Sequence, residues 1–240
     1  MSRTQPQSQT RPVAIITGAG RGIGRATAVE LARRGYRLAL AARGSDDLDE
    51  TGRLVGGALC VPTDVTDPAQ VEALAGRTLE RLGRIDAVVN NAGLAPVRKI
   101  TEMTPQEWRA VIETNLSAAF YVTRACWPAF ERQRGGVVVN VSSAAARDPF
   151  PGFHAYGAAK AGLNLFGLSA AREGESIGVR VHTVAPGATE TAMFRGLMTP
   201  QQFPAEKTLD PSDVATIIAD CVTGDLRHTS GEVIYVHRTV

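Results

Sequence analysis

The chain has 240 residues, 44% of them apolar and 21% charged, and a formal net charge of +2 at pH 7. This size and composition are typical of a globular protein, and the low net charge gives no reason to expect nucleic acid or membrane as a partner. Three widely spaced cysteines argue against a disulfide framework and favour a reducing, cytoplasmic environment. We expect residues 1–11 to form a flexible tail and residues 12–240 a single domain.

Short apolar runs alternate with amphipathic segments along the chain. We predict strands over residues 13–16, 37–42, 58–61, 87–89, 137–141, 179–184 and 232–236, with helices between most of them. One long helix is predicted from 104 to about 131 with a bend at Pro128, another runs from about 156 to 173, and residues 188–210 are predicted to be irregular. Strands that alternate with helices predict an α/β fold with a doubly wound parallel sheet.

A glycine-rich turn follows the first predicted strand, in the segment from Thr17 to Gly24. Glycines allow a tight turn and let the backbone approach a phosphate, and the N-terminus of the following helix attracts negative charge. A glycine cluster alone is also typical of any strand-to-helix turn. The strand, turn and helix in sequence here favour a dinucleotide-binding turn.

The end of the second predicted strand carries Ala42 and Arg43 instead of an acidic residue. NAD-binding proteins commonly place a carboxylate there for the ribose 2′-hydroxyl, whereas guanidinium groups suit the 2′-phosphate of NADP. Arg21 in the glycine turn supplies a second guanidinium. Either arginine alone is compatible with an ordinary surface position, but together with the missing acid they favour NADP.

Tyr156 and Lys160 are four residues apart in a predicted helix and therefore share one face. We expect the neighbouring ammonium to lower the tyrosine pKa from its ordinary value of about 10, toward the range that suits proton transfer. Ser143, just after the fifth predicted strand, is placed to hold a carbonyl oxygen together with Tyr156. Because the chain has 23 arginines and only three lysines, the lysine at 160 indicates a need for its compact ammonium. By itself the pair is also compatible with a half-buried tyrosine and a solvated lysine.

Together these motifs make the chain resemble the short-chain dehydrogenase/reductase family over nearly its whole length. The matching motifs are the turn from Thr17 to Gly24, Asp64, Asn90-Asn91-Ala92-Gly93, the tetrad Asn115, Ser143, Tyr156 and Lys160, and Pro186-Gly187 with Thr191. The resemblance implies a single Rossmann domain with strand order 3-2-1-4-5-6-7. It implies cofactor contacts from Gly18, Arg21, Gly22, Ile23, Gly24, Arg43, Asp64, Val65, Asn90, Tyr156, Lys160, Pro186, Gly187, Thr189 and Thr191.

The same resemblance implies that the protein reduces a ketone or 3-oxoacyl carbonyl with NADPH, with Tyr156 as proton donor. Ser143 would stabilise the developing charge, Lys160 would bind the nicotinamide ribose, and Asn115 would position a water that links Lys160 to solvent. Both a 3-oxoacyl-thioester reductase and a broad carbonyl reductase remain open. Two alternatives are a secondary-alcohol dehydrogenase that works oxidatively and a regulatory protein that binds NADP without turnover.

The resemblance also implies a substrate pocket formed by residues 188–210 and the loop 148–153. Phe150, Phe153, Met193 and Phe194 favour an apolar or acyl substrate, and Arg132 with Arg134 are candidates to meet an acidic carrier protein. We expect a homotetramer or homodimer through the two long helices. The four histidines show no metal-ligand spacing, so no metal is predicted. The C-terminal sequence near the last strand lacks the glycine pair of many relatives. Its contribution to the substrate pocket or to a subunit interface is therefore left open.

Overall fold

The structure, a computed structural model, describes residues 11–238. Most of the predicted flexible tail, residues 1–10, lies outside the described residues. Arg11, the last residue of that predicted tail, donates from Nε to the Gly35 carbonyl oxygen at 2.9 Å. Arg11 is therefore anchored to the domain.

Seven parallel strands form one sheet in the order β3-β2-β1-β4-β5-β6-β7, as predicted. The order reverses direction between β1 and β4, so the crevice for a ligand is expected at the carboxyl ends of these two strands. The strands are β1 Val13–Thr17, β2 Arg37–Ala42, β3 Leu59–Pro62, β4 Ala87–Asn90, β5 Gly136–Val141, β6 Val179–Pro186 and β7 Val233–Val236.

Helices cover both faces of the sheet. They are α1 Gly22–Arg33, α2 Ser45–Leu54, α3 Pro68–Leu82, α4 Pro105–Ile112, α5 Ala118–Gln133, α6 His154–Gly174, α7 Ala192–Arg195 and α8 Pro211–Thr223. None of the helices within residues 11–238 combines the length and the apolar character that crossing a membrane requires.

Alternate residues of each central strand point to two separate cores. Ala14 and Ile16 of β1 pack with residues of α1, α2 and α8. Ile15, between them in sequence, packs on the other face with residues of α3, α5 and α6. Side chains of a strand alternate between the faces of a sheet, so the uniformly apolar sequence of β1 reflects burial on both sides.

Three local features differ from the sequence predictions. Helix α2, with Asp46 and Asp47 in its first turn, was not predicted. The long helix that begins at Pro105 contains a π-helical segment, Glu113–Ser117, before α5 continues through Pro128 to Gln133. Residues 188–210 are less irregular than predicted, because they contain α7 and a short 3₁₀ turn, Ala205–Lys207.

The predicted helix caps are present. Asp67, Thr104 and Asp210 each accept backbone N–H bonds at the starts of α3, α4 and α8. Thr104 and Asp210 also form the reciprocal bonds of a capping box. These signals are local in sequence, which explains why they could be recognised without the fold.

Helix α1 approaches the end of β1 so closely that only glycine fits at position 24. A Cβ built on Gly24 overlaps the Gly18 carbonyl oxygen and lies 2.5 Å from Asn91 Nδ2. Because these neighbours are backbone and a hydrogen-bonded amide, the Gly24→Ala substitution should lower the unfolding free energy by about 1–3 kcal/mol.

Gly76, in the exposed part of α3, is a matched control because a Cβ there meets no atom within 4 Å. We expect Gly76→Ala to raise the unfolding free energy by about 0.5–1 kcal/mol, from improved helix propensity. Urea unfolding of both variants checks the pair. Equal stability of Gly24→Ala and the wild type would contradict the close packing.

Candidate active site

The predicted site residues gather at the carboxyl edge of the sheet. Gly18 follows β1, Arg43 follows β2, Asp64 lies beyond β3, Asn91 follows β4 and Ser143 lies beyond β5. Residues from distant parts of the sequence meet here because all carboxyl ends of a parallel sheet lie on one side.

Asn91 fastens the glycine turn to the end of β4. Its Nδ2 donates to the carbonyl oxygens of Thr17 at 2.9 Å and Gly18 at 3.1 Å. The Thr17 hydroxyl in turn accepts from the backbone N–H groups of Asn91 at 3.0 Å and Ala92 at 3.1 Å. Sequence reasoning assigned a function to Asn90 and missed this role of Asn91, although the motif with both residues was recognised.

The Asn90 side chain points away from the predicted cofactor contact. It is buried, and its Nδ2 donates to Asn140 Oδ1 at 2.9 Å and to Thr123 Oγ1 at 3.1 Å, between β4, β5 and α5. Its side chain therefore connects the sheet to the helix layer. A contact with the cofactor, if Asn90 makes one, must come from its backbone.

The glycine turn leaves the start of α1 without a side-chain cap. Gly18 and Gly22 have φ angles of 63° and 54°, which favour glycine. Arg21 occupies the N-cap position of α1 but makes no side-chain capping bond, in contrast to the caps of α3, α4 and α8. The first N–H groups of α1 are thus left for another acceptor, and a phosphate group fits this requirement.

Arg21 and Arg43 are exposed, and neither guanidinium has a hydrogen bond or ion pair with any residue between 11 and 238. The charge of Arg43 contributes to the lowered pKa of Asp64, whose main cause is hydrogen bonding from the backbone and hydroxyl of Thr66. These two guanidinium groups beside the turn are therefore free to bind an anionic group.

A carboxylate does lie near the turn, on a helix that the sequence analysis did not predict. The Asp47 Cβ is 2.9 Å from a Cβ built on Gly20. Its carboxylate lies 3.9 Å from Arg25, which also pairs with Glu50 at 2.9 Å. The charge of Arg25 therefore offsets the Asp47 carboxylate. Arg21 and Arg43 form no ion pair with it.

The segment after β6 forms the wall of the expected crevice that faces the glycine turn. Its predicted site residues are Pro186, Gly187, Thr189 and Thr191. Thr191 caps α7 by accepting from the Phe194 N–H at 3.2 Å. A Cβ built on Gly22 would lie 3.2 Å from Thr191 Cγ2, so this wall reaches the glycine turn. Thr189 is buried, and its hydroxyl donates to the Gly187 carbonyl oxygen at 3.0 Å. The Thr189 hydroxyl thus stabilises the backbone of residues 187–189.

The structure brings Ser143 and Tyr156 together, with the Ser143 hydroxyl beside the phenol. Phe153 packs edge-on against the phenol ring, with ring centres 5.4 Å apart. Burial raises the pKa of Tyr156 above its ordinary value of 10.0, and the nearby Ser143 hydroxyl only partly opposes this effect.

The predicted lowering of the Tyr156 pKa is therefore wrong in direction. The Lys160 ammonium nitrogen lies 5.6 Å from the centre of the phenol ring, yet burial of the phenol outweighs the proximity of that cation. At neutral pH the phenol keeps its proton. This is the protonation state that a proton donor requires.

Lys160 is only 3% exposed, and its Nζ donates to the Val141 carbonyl oxygen at 2.7 Å. Burial lowers the pKa of Lys160 to about 7. The side chain thus changes its charge near neutral pH, a property that lysine can acquire when buried and arginine cannot. Lys160 is therefore a buried, hydrogen-bonded amine and not a solvated surface charge.

Asn115 lies in the π-helical segment and is 2% exposed. Its Nδ2 donates to the carbonyl oxygens of Leu94 at 2.7 Å and Val111 at 2.9 Å, and its Oδ1 accepts from the Leu94 N–H at 3.3 Å. A Cβ built on Gly93 would lie 3.0 Å from Asn115 Oδ1 and 4.0 Å from Lys160 Nζ. The side-chain amide thus holds the segment after β4, and Gly93 of that segment lies near both Asn115 and Lys160.

Aromatic rings lead from the surface to the phenol. Exposed Phe150 packs edge-on against Phe153 at 5.8 Å, and Phe153 packs against Tyr156. Leu197 joins the same cluster from the 188–210 segment. Phe194 instead packs against Phe203 inside that segment, at 5.3 Å. The approach to Tyr156 is therefore apolar.

Comparison with known proteins agrees with this geometry. A sequence model described as short chain dehydrogenase matches residues 12–202. The chain belongs to the short-chain dehydrogenase family. With reductases among its relatives, this short-chain dehydrogenase is a nicotinamide-dependent oxidoreductase that acts on CH–OH groups.

Its relatives include 3-oxoacyl-[acyl-carrier-protein] reductases. The Escherichia coli enzyme is 35% identical over 234 residues, which cover 94% of this chain and 95% of that protein. The Vibrio cholerae enzyme is 36% identical over 238 residues, with coverage of 94% and 95%. The crystal structure of levodione reductase matches with a TM-score of 0.88 and 30% identity, over 94% of this chain and 96% of that one. The family and the fold are thus confirmed.

The low pKa of Lys160 makes folding stability depend on pH. Between pH 7 and the ordinary lysine value of 10.5, an unfolded chain keeps the Lys160 proton that the native protein has released. The contribution of Lys160 to the unfolding free energy should therefore rise through this window by at most about 1.4 kcal/mol per pH unit. Lys160→Met should remove this rise.

Urea unfolding at pH 7 and pH 9 of the wild type and Lys160→Met measures this difference. Lys99→Met is the control, because the Lys99 side chain is 80% exposed and forms a surface ion pair with Glu102. The unfolding free energy of Lys99→Met should change with pH as that of the wild type does. Parallel curves for Lys160→Met would mean that Lys160 has an ordinary pKa.

Proposed function

We propose that the protein reduces a ketone or 3-oxoacyl carbonyl to a secondary alcohol with NADPH, and that Tyr156 donates the proton. The single observation that supports this most strongly is the protonated phenol of Tyr156 beside the Ser143 hydroxyl. The 3-oxoacyl-[acyl-carrier-protein] reductases among the relatives support the substrate class, and the apolar approach through Phe150 and Phe153 is compatible with an acyl chain.

When bound, NADPH would supply the hydride. Tyr156 transfers its proton to the carbonyl oxygen, while the Ser143 hydroxyl donates a hydrogen bond to the same oxygen as negative charge develops on it. Lys160, whose pKa is about 7, binds the nicotinamide ribose and takes up or releases a proton at neutral pH. Asn115 holds the segment after β4 in place and orders the water that connects Lys160 to solvent.

The uncapped start of α1 would hold the pyrophosphate, with Gly18, Gly22, Ile23 and Gly24 forming the turn around it. Asp64 and Val65 would flank the adenine, while Pro186, Gly187, Thr189 and Thr191 would hold the nicotinamide end. Arg21 and Arg43 would bind the 2′-phosphate. The preference for NADPH rests on these two arginines.

Removal of either cation should weaken NADPH binding about tenfold, because each forms a charge-assisted contact with the 2′-phosphate. Arg21→Met and Arg43→Met should leave NADH binding unchanged, since NADH lacks this phosphate. Fluorescence titration with both cofactors measures the four dissociation constants. Arg53→Met, at an exposed position in the last turn of α2, is the control. Equal wild-type affinities for NADPH and NADH would contradict the proposal.

Tyr156→Phe should lower kcat/KM by at least about 100-fold, because it removes the proton donor and keeps the ring. The dissociation constant of NADPH should change little. Initial-rate assays with a panel of ketones and 3-oxoacyl thioesters measure kcat/KM, and cofactor titration measures the dissociation constant. Tyr36→Phe is the control, since Tyr36 packs in the core between α1 and β2. An active Tyr156→Phe enzyme would refute the assignment.

The protein assembles as a homotetramer or homodimer through α5 and α6. An apolar cavity of about 630 Å³ lies between α3, α5 and α6, and Phe120 on α5 remains 48% exposed beside it. Light scattering should therefore give a mass of two or four chains, and Phe120→Arg should reduce it. Leu54→Arg, at an exposed apolar residue of α2, should not. A monomeric wild type would contradict the assembly.

A further inference from the structure

The end of the last strand, β7, contacts the segment after β5 and the segment after β6. Tyr235 and His237 are two residues apart and therefore point to the same side of the chain. Their rings are stacked with a centre-to-centre distance of 6.2 Å and planes 3° apart. The guanidinium carbon of Arg147 lies 4.4 Å from the centre of the Tyr235 ring.

Arg147 belongs to the turn that carries Ser143. The Ala146 N–H donates to the Ser143 carbonyl oxygen at 3.0 Å, and the Arg147 N–H donates to the Ala144 carbonyl oxygen at 3.0 Å. The Ala145 N–H donates to the Ser143 hydroxyl oxygen at 3.1 Å. Because these bonds are consecutive, the position of Arg147 is coupled to the position of the Ser143 hydroxyl.

The same turn rests on α6 beside Tyr156. A Cβ built on Gly157 would lie 2.9 Å from the Ala145 carbonyl oxygen and 3.1 Å from Pro149 Cβ. This contact leaves little room between the turn and the helix. A shift of the turn therefore changes how Ser143 faces the Tyr156 phenol.

His237 and Arg238 reach the opposite wall. The Gly187 N–H donates to the Val236 carbonyl oxygen at 2.9 Å, and a Cβ built on Gly187 would lie 3.2 Å from His237 Nδ1. Arg238 Nη1 donates to the Thr208 carbonyl oxygen at 2.7 Å, at the end of the 188–210 segment. The C-terminal segment thus contacts both the turn that carries Ser143 and the wall formed by the segment after β6.

Arg147 is exposed and has no acidic partner within residues 11–238. The Tyr235 ring is therefore the group that holds its guanidinium. We propose that Tyr235 is a positioning residue for carbonyl reduction, because it holds Arg147 and thereby fixes the turn that presents Ser143 to Tyr156. The ring carries this role and the hydroxyl does not, since the guanidinium lies over the ring. The kinetic consequence rests on the proposed reductase function.

The kinetic test compares Tyr235→Leu with Tyr235→Phe. Leucine removes the ring and should lower kcat about twofold to fivefold, the range expected for loss of one exposed cation–π contact. Phenylalanine keeps the ring and should restore the wild-type kcat. The NADPH dissociation constant should be unchanged in both, because the contact acts on Ser143 and not on the cofactor turn. Equal kcat values for Tyr235→Leu and the wild type, or an equal loss in both variants, would overturn the proposal.

Arg147→Met provides the second arm, at an exposed position whose substitution leaves β7 intact. It should lower kcat as much as Tyr235→Leu does, and the double variant should lose no more than either single variant, because both changes remove one contact. A double variant whose loss in kcat equals the product of the two single losses would overturn the proposal. This arm also decides the result if Tyr235→Leu unfolds.

Hydrogen exchange separates this proposal from the reductase function. The amides of residues 145–148 should exchange faster in Tyr235→Leu and Arg147→Met than in the wild type and Tyr235→Phe, whether or not any ketone is turned over. An unchanged exchange rate in both ring-contact variants would refute the positioning role. If the wild type reduces no carbonyl and the amides still respond as expected, the function assignment fails and the positioning contact stands.

Discussion

The placement of Tyr156 and Lys160 one helical turn apart, the phenol partly buried and the amine almost fully buried, is the constraint on which the rest of the site depends. Desolvation disfavours charge on both groups, so it raises the pKa of the phenol and lowers that of the amine. The Val141 carbonyl oxygen accepts a hydrogen bond from the amine, and the Ser143 hydroxyl lies beside the phenol. The result is a protonated phenol beside an amine that titrates near neutral pH, a pair suited to donating and recovering a proton.

The fold determines where this pair can act. A parallel sheet collects the ends of its strands on one edge, and the reversal of strand order beside β1 opens a crevice there. On one side of the crevice, the uncapped start of α1 and the unpaired Arg21 and Arg43 are available to an anion. On the other side, Ser143 and Tyr156 face an apolar approach. A phosphate-bearing cofactor and an apolar carbonyl compound match these two environments.

Much of the fold could be predicted from the sequence because its signals are local. The apolar strands and the capping residues Asp67, Thr104 and Asp210 act over a few residues, and the structure confirms them. Properties that depend on tertiary packing could not be predicted in this way. The direction of the Tyr156 pKa shift depends on burial by Phe153 and its neighbours, and the different roles of Asn90 and Asn91 depend on which way each side chain faces. The π-helical segment around Asn115 likewise has no simple sequence signal.

The most direct test of the central claim is the ionisation of Tyr156 itself. Tyrosine labelled with ¹³C at Cζ, observed by NMR in the wild type and in Tyr156→Phe, assigns the signal of this phenol and follows its titration. The account predicts that the titration midpoint of Tyr156 lies above the ordinary tyrosine value of about 10. A midpoint near neutral pH would contradict it, because the phenol would then be governed by the neighbouring lysine and not by burial.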